Sequence, residues 1–243
     1  MFDKVIEDIV SDDLANAKVL FQEGIPFYHV TSQTLFEVCS QYQVDCSVLE
    51  KKLFQPIQTV KPSQDSSIKE IIKYLTDSHR TFIKQSLPYY STLIQNIRLS
   101  EFKNNQLARD LQFIFPLFVE DFIHHILEEE KTLFFYIQTL LQADKEKGRN
   151  ISKAFLQIQN KSISSFALEH LHEDPMEGIR NLTNNYEISD KTSVHEKVIM
   201  YELAQFDKDL AVHAEIEDQL LFSKTLLLEQ KIKEEAQQIT SLN

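Results

Sequence analysis

Two stretches of the chain carry the same spacing of metal-capable side chains. HHILEEEKTLFF holds His125 and Glu129, HAEIEDQLLFS holds His213 and Glu217, and both read H-x-x-x-E-x-x-x-L-F. On a helix, a four-residue step sets imidazole and carboxylate one turn apart on one face. That face is apolar in both cases: Phe118, Phe122 and Tyr136 flank the first pair, and Phe206, Leu210 and Leu220 the second. One exposed H-x-x-x-E would be a salt pair of little consequence. Two copies on apolar faces bury polar and charged groups at considerable cost unless something compensates them. Divalent cations would do so, giving each imidazole and carboxylate a partner.

Two further helical stretches each supply a histidine. His79 lies in the stripe Ile72, Leu75, His79, Phe82 and Ile83. In the third stretch, the line through Leu168, Met176, Ile179 and Leu182 selects His172. His170 falls about 160° from that line at 100° per residue. The candidate metal ligands are therefore His79, His125, Glu129, His172, His213 and Glu217. Four neutral imidazoles and two carboxylates, with no thiolate, suit iron or manganese and disfavour a structural thiolate zinc site. If two ions share the two glutamates, each keeps two histidines and open positions for oxo, water, dioxygen or nitric oxide. Ferritin-like sites use four glutamates and an E-x-x-H pattern. A site richer in histidine favours binding and redox of small gases over mineralisation.

The elements that must hold these residues are helices. The chain has 243 residues but only 3 glycines and 6 prolines, too few for the turns of sheet proteins. Gly24, Gly148 and Gly178 are also too far apart for a phosphate-cradling loop. Long helical periods begin near Ser66 or Ser67, where Glu70 completes a capping box, and continue to about residue 98. A second runs from about 101 to 144 with Pro116 as a kink, a third over 151–184 with a bend at Pro175, and a fourth from Ser193. Four amphipathic helices with short connections make an all-α four-helix bundle over 66–240. Before it, residues 1–58 form a small helical N-terminal domain. Asp12 or Asp13, Thr31 or Ser32, and Asp45 or Ser47 open its helices, and QPIQTVKPSQDSS is the linker.

Charge narrows the partners. The net charge of −12 disfavours nucleic acid or an anionic membrane as main partner. The acidic N-terminus does not read as a secretory signal, and no apolar run approaches the ~20 residues that span a bilayer. A cytoplasmic protein is expected. Cys39 and Cys46 lack C-x-x-C spacing, and Cys39 reads as a core residue. His29 is expected on a solvated loop, His124 at the bundle edge, and His195 exposed in the first turn of the last helix.

These segments resemble the hemerythrin-like bundle of the di-iron proteins of iron–sulfur cluster repair. IIKYLTDSHRTFIKQSLPYYSTLI around His79 is similar to that family's first-ligand helix, and His125/Glu129 and His213/Glu217 to its two ligand pairs. HEDPMEGIRNLTNNY is similar to its third-ligand segment. Its distance to the Leu-Thr-Asn run is short, which keeps His170 as an alternative to His172. ANAKVLFQEGIPF and SQTLFEVCSQYQVD resemble the family's small N-terminal domain. Where the family carries a Cys-Cys-Gly-Gly loop, this chain has Tyr28-His29-Val30-Thr31. The resemblance implies two iron ions in an oxo-bridged non-haem centre, oxygen or nitric oxide as small ligand, iron–sulfur proteins as clients, and a homodimer. It also implies a role in oxidative or nitrosative stress, by iron donation or nitric oxide handling. The missing thiol pair keeps a reversible gas-binding sensor or carrier as the alternative.

Overall fold

The computed structural model describes residues 2–53, 60–102, 104–146, 149–170, 174–188 and 192–241. The protein is all-α; the described residues hold no strand, only one isolated antiparallel bridge between Val5 and Thr34. Short helices come first: α1 (Ile6–Asp12), α2 (Asn16–Gln22), α3 (Leu35–Tyr42) and α4 (Cys46–Leu53). Then follow α5 (Ile68–Thr81), α6 (Leu87–Gln95), α7 (Asn105–Glu129), α8 (Phe135–Glu146), α9 (Arg149–Asn160), α10 (Ile163–His170) and α11 (Glu177–Leu182). Helices α12 (Val194–Ile216) and α13 (Ser223–Ser241) complete the chain. Three π-helical turns, Phe82–Ser86, Glu130–Phe134 and Glu217–Phe222, link α5 to α6, α7 to α8 and α12 to α13 without a break.

Packing divides the chain into two compact units. One comprises Met1–Val60, Lys84–Leu117 and Met176–Lys208. Side-chain oxygens accept from free amides near some of its helix starts. Asp13 accepts from the Ala15 amide ahead of α2, and Asp45 accepts from the Ser47 amide at the start of α4. Helix α3 starts at Thr34, two or three residues later than expected. Thr34 is the residue with a glutamate three positions on: its hydroxyl accepts from the Glu37 amide, and the Glu37 carboxylate accepts from the Thr34 amide. Gly24 ends α2's turn at φ +77°, a conformation that side-chain-bearing residues rarely adopt.

The same unit overturns one expectation. His195 is not exposed but 3% accessible. Its Nε2–H donates to the Leu93 carbonyl at 3.0 Å, and its ring stacks on Tyr28, centroids 4.6 Å apart and planes 14° off parallel. A position in a helix's first turn says nothing about what packs over it; here Phe27 and Tyr28 do. His29 remains exposed and accepts from Arg98.

The other unit comprises Lys61–Ile83, Phe118–Pro175 and Asp209–Asn243. Helix α5 starts on the expected capping box, with Ser67 and Glu70 exchanging hydrogen bonds. Ile71 and Leu75 of α5, Leu133 and Phe134 of the second π turn, Ile137 and Leu140 of α8, Ile158 of α9, Ile163 of α10, and Leu221 and Ile232 share one buried core. The third helical region is not continuous. It breaks at Lys161–Ser162, where the Glu229 carboxylate of α13 accepts from the Ile163 amide at 2.5 Å. That carboxylate, fully buried, also accepts from the Tyr136 hydroxyl. It thereby satisfies an amide that the start of α10 leaves without an intrahelical partner.

Candidate metal centre

Three long helical runs each bend into a π turn just past a metal-capable residue. His79 lies in the last turn of α5, His125 and Glu129 in the last two turns of α7, and His213 at the end of α12 before Glu217 opens the third π turn. A π turn hydrogen-bonds i→i+5 and so takes an extra residue, a widening common at functional sites. In both repeats, the Leu-Phe pair that follows the glutamate lies within that turn. Leu133, Phe134, Leu221 and Phe222 are all buried. The repeated string therefore encodes a helix distortion as well as a face.

His79, Glu129, His213 and Glu217 meet in the interior, each offering a donor atom within 4.8 Å of the others. All four residues are buried, and Glu217 is inaccessible to solvent. His79 Nε2 lies 3.0 Å from His213 Nε2 and 3.5 Å from Glu129 Oε2. His213 Nε2 lies 3.2 Å from Glu217 Oε1. With metal–nitrogen bonds of about 2.1 Å, as at zinc, two imidazoles at right angles set their nitrogens about 3.0 Å apart. The short nitrogen–nitrogen contact therefore matches two imidazoles aimed at one ion.

His170 adds to this group. Its Nε2 stands 2.9 Å from Glu217 Oε2, and its side chain is only 14% exposed. His125 is further out, 37% exposed, with Nε2 4.0 Å from Glu129 Oε2. Each glutamate thus lies against one histidine of two sets: Glu217 against His213 and His170, Glu129 against His79 and His125. Between His125 and His170 runs a cleft of about 100 Å³, lined also by Thr132 and Phe166.

The electrostatics favour a neutral His79 imidazole and an ionised Glu217 carboxylate. Burial and the adjacent His213 imidazole push His79 down to about 4, against the opposing pull of Glu130. Burial by itself would raise the Glu217 carboxyl. The His170 and His213 side chains against it outweigh that and hold it well below the usual range. Neither Glu217 oxygen meets hydrogen-bond geometry, despite a histidine nitrogen at 2.9 or 3.2 Å from each. Fully buried and held ionised against two imidazole nitrogens, the Glu217 oxygens fit a metal ion.

The sequence reading and the structure part company at the third helix. His172 lies outside the described residues. The apolar line that selected it does not hold: Leu168 is 64% exposed. That line assumed one unbroken helix from 168 to 182, whereas residues 174–176 are not helical and α11 starts at Glu177. With Leu168 facing solvent, His170, about 200° further round the helix, faces inward. Sequence reading also passed over Glu130, whose Oε1 accepts from His79 Nδ1 at 2.9 Å. The run of three glutamates, Glu128 to Glu130, was the available signal. His124, as expected, is exposed.

A helical bundle whose buried histidines and glutamates can hold a metal defines a class of metal-binding bundle. Within it, the chain is 24% identical over 221 residues to the iron–sulfur cluster repair protein YtfE of Dickeya chrysanthemi, covering 88% of this chain and 92% of that protein. It is 22% identical, with the same coverage, to the protein of that name from Musicola paradisiaca. The chain is thus a distant relative of these repair proteins. No family model matches it. No described helix is long and apolar enough to cross a membrane.

Proposed function

We propose that this chain is a non-haem di-iron protein of the iron–sulfur cluster repair type, with hemerythrin-like coordination, acting in oxidative or nitrosative stress. The observation that carries the reading is Glu217, whose two carboxylate oxygens face His213 on one side and His170 on the other. In this reading His79 and His213 would hold one ion, His125 and His170 the second, and Glu129 and Glu217 would serve both. Iron bound there would supply redox change and open positions for a small gas. The buried core around Leu133, Phe134 and Leu221 keeps bulk water from the donors, and the low proton affinity of His79 keeps its imidazole neutral for coordination. The cleft beside His125 and His170 gives a diatomic ligand, or a departing ion, a way past the exposed ligand histidine.

The test is metal quantification and an optical spectrum, oxidised and reduced, with and without nitric oxide, on protein prepared anaerobically. Two irons per chain and a nitric-oxide-sensitive spectrum are expected, with iron-dependent reactivation of an oxidatively damaged cluster enzyme. Less than one metal per chain, or full reactivation by a Glu217 variant that has lost its iron, refutes the reading.

A second reading is reversible binding of dioxygen or nitric oxide without turnover. It is favoured by the segment Tyr28-His29-Val30, where the resembled family has paired thiols. Tyr28 is instead packed into the core against Phe27 and His195. A stable, reversible gas complex with no net iron transfer to a client selects this reading over repair.

A further inference from the structure

The two H-x-x-x-E repeats share one more feature: each glutamate is followed directly by a second acid, Glu130 after Glu129 and Asp218 after Glu217. Each of these acids faces the outer nitrogen of a histidine from a helix outside the repeats. Glu130 Oε1 stands 2.9 Å from Nδ1 of His79, on α5. Asp218 Oδ1 stands 3.9 Å from Nδ1 of His170, on α10. Both acids sit within π turns, and both are only partly exposed, 36% and 44% by side chain.

We propose that Glu130 and Asp218 are positioning residues for His79 and His170, and that their unequal reach makes the two metal positions unequal in strength. The inference rests on the two-metal reading above. A carboxylate can only accept, so the Glu130 contact requires the proton of His79 on Nδ1 and leaves the Nε2 lone pair facing Glu129 and His213. That fixes tautomer and ring plane before an ion arrives, and a carboxylate behind a ligand histidine strengthens it as a donor. Stacking of the His79 ring on Phe134, at 5.6 Å and 4°, holds the same plane from the side. Asp218 is one methylene shorter than Glu130, and its oxygen stops beyond hydrogen-bond distance of His170. The position built on His170 also contains His125, the ligand candidate most open to solvent. The His79–His213 position is therefore the retentive one, and the cleft-side position is the one that gives up its ion.

The experiment loads the full chain anaerobically with ferrous iron and follows its release to a ferrous chelator. Release in two phases is expected. Glu130→Ala should speed the slow phase about 10- to 100-fold, the range for losing an outer-shell partner, and spare the fast one. Glu130→Gln, which can still accept from Nδ1–H, should recover most of the loss. Asp218→Glu should slow the fast phase towards the other. In the metal-free chain, the ¹⁵N shifts of His79 should report an Nδ1–H tautomer that Glu130→Ala mixes and Glu130→Gln preserves. Two ions released in two phases that none of these substitutions moves, with an unchanged His79 tautomer, overturn the bracing role alone. A wild-type chain that takes up no metal overturns the two-metal reading itself, leaving the tautomer measurement to judge Glu130.

Discussion

Replacing Glu217 by Gln keeps the side chain's shape and removes its charge, and the structure assigns the change a loss of stability both with and without metal, the larger loss with it. Loaded, the protein is stabilised by every ion that binds the folded chain and not the unfolded one. At a free concentration one hundred times the dissociation constant, that is about 2.7 kcal/mol per site, so about 5 kcal/mol for two sites. For a chain of this size, each kcal/mol is worth about 2–4 °C in Tm, giving a metal-dependent rise of roughly 10–20 °C. Because one Glu217 oxygen faces His213 and the other His170, Glu217→Gln should remove most of this rise. His125→Ala, at an exposed ligand of one position, should remove about half. Metal-free, the loss is smaller but keeps its sign. The imidazoles hold the Glu217 carboxylate ionised against its burial, so the charge is net stabilising, and the Gln variant should melt lower than wild type by less than the metal-dependent rise it removes. Calorimetry with and without chelator, alongside metal analysis, measures both effects. The reasoning is refuted if Glu217→Gln keeps the full metal-dependent rise, or if it lowers the metal-free Tm by as much as the loaded one.

Three further outcomes are expected. His170→Ala should lower metal content by one ion per chain while His172→Ala and His124→Ala leave it unchanged; metal analysis of the three variants decides which histidine of the third helix serves. Ser67→Ala breaks the reciprocal cap of the helix that carries His79 and should cost about 1 kcal/mol, read as a drop of about 2–4 °C in Tm. Burial, and then the hydrogen bond with Cys46, push the Cys39 thiol up to about 12, so at pH 8 it stays protonated in the folded chain. Iodoacetamide should label Cys39 far more slowly in native than in urea-unfolded protein, and equal rates refute the assignment.

The parts of the site legible in the sequence are those that a single turn of helix determines. A histidine four residues ahead of a glutamate shares its face wherever the helix is intact, so His125 with Glu129 and His213 with Glu217 needed no tertiary information. His79 was readable for the same reason, because α5 is unbroken from its cap at Ser67 to the π turn. The third helix fails that condition. Phase carried past the non-helical residues 174–176 has no physical meaning, and Leu168, which anchored the pattern, is exposed. His195 fails for another reason: its burial comes from Phe27 and Tyr28, more than 160 residues earlier in the chain.

Scarce glycine, helical periodicity and two repeated strings were enough to establish an all-α bundle with acids and imidazoles on its inward faces. Periodicity reports only the angle at which a side chain leaves its helix, and that angle is a local property. Which histidine meets which carboxylate depends on helices whose relative height and rotation are set by packing between distant segments. Only the tertiary structure could therefore bring His170 to Glu217 and Glu130 to the back of His79. Only it could reveal that the Leu-Phe pairs mark π turns, since the widened hydrogen bonding leaves the order of residues unchanged and alters where they point.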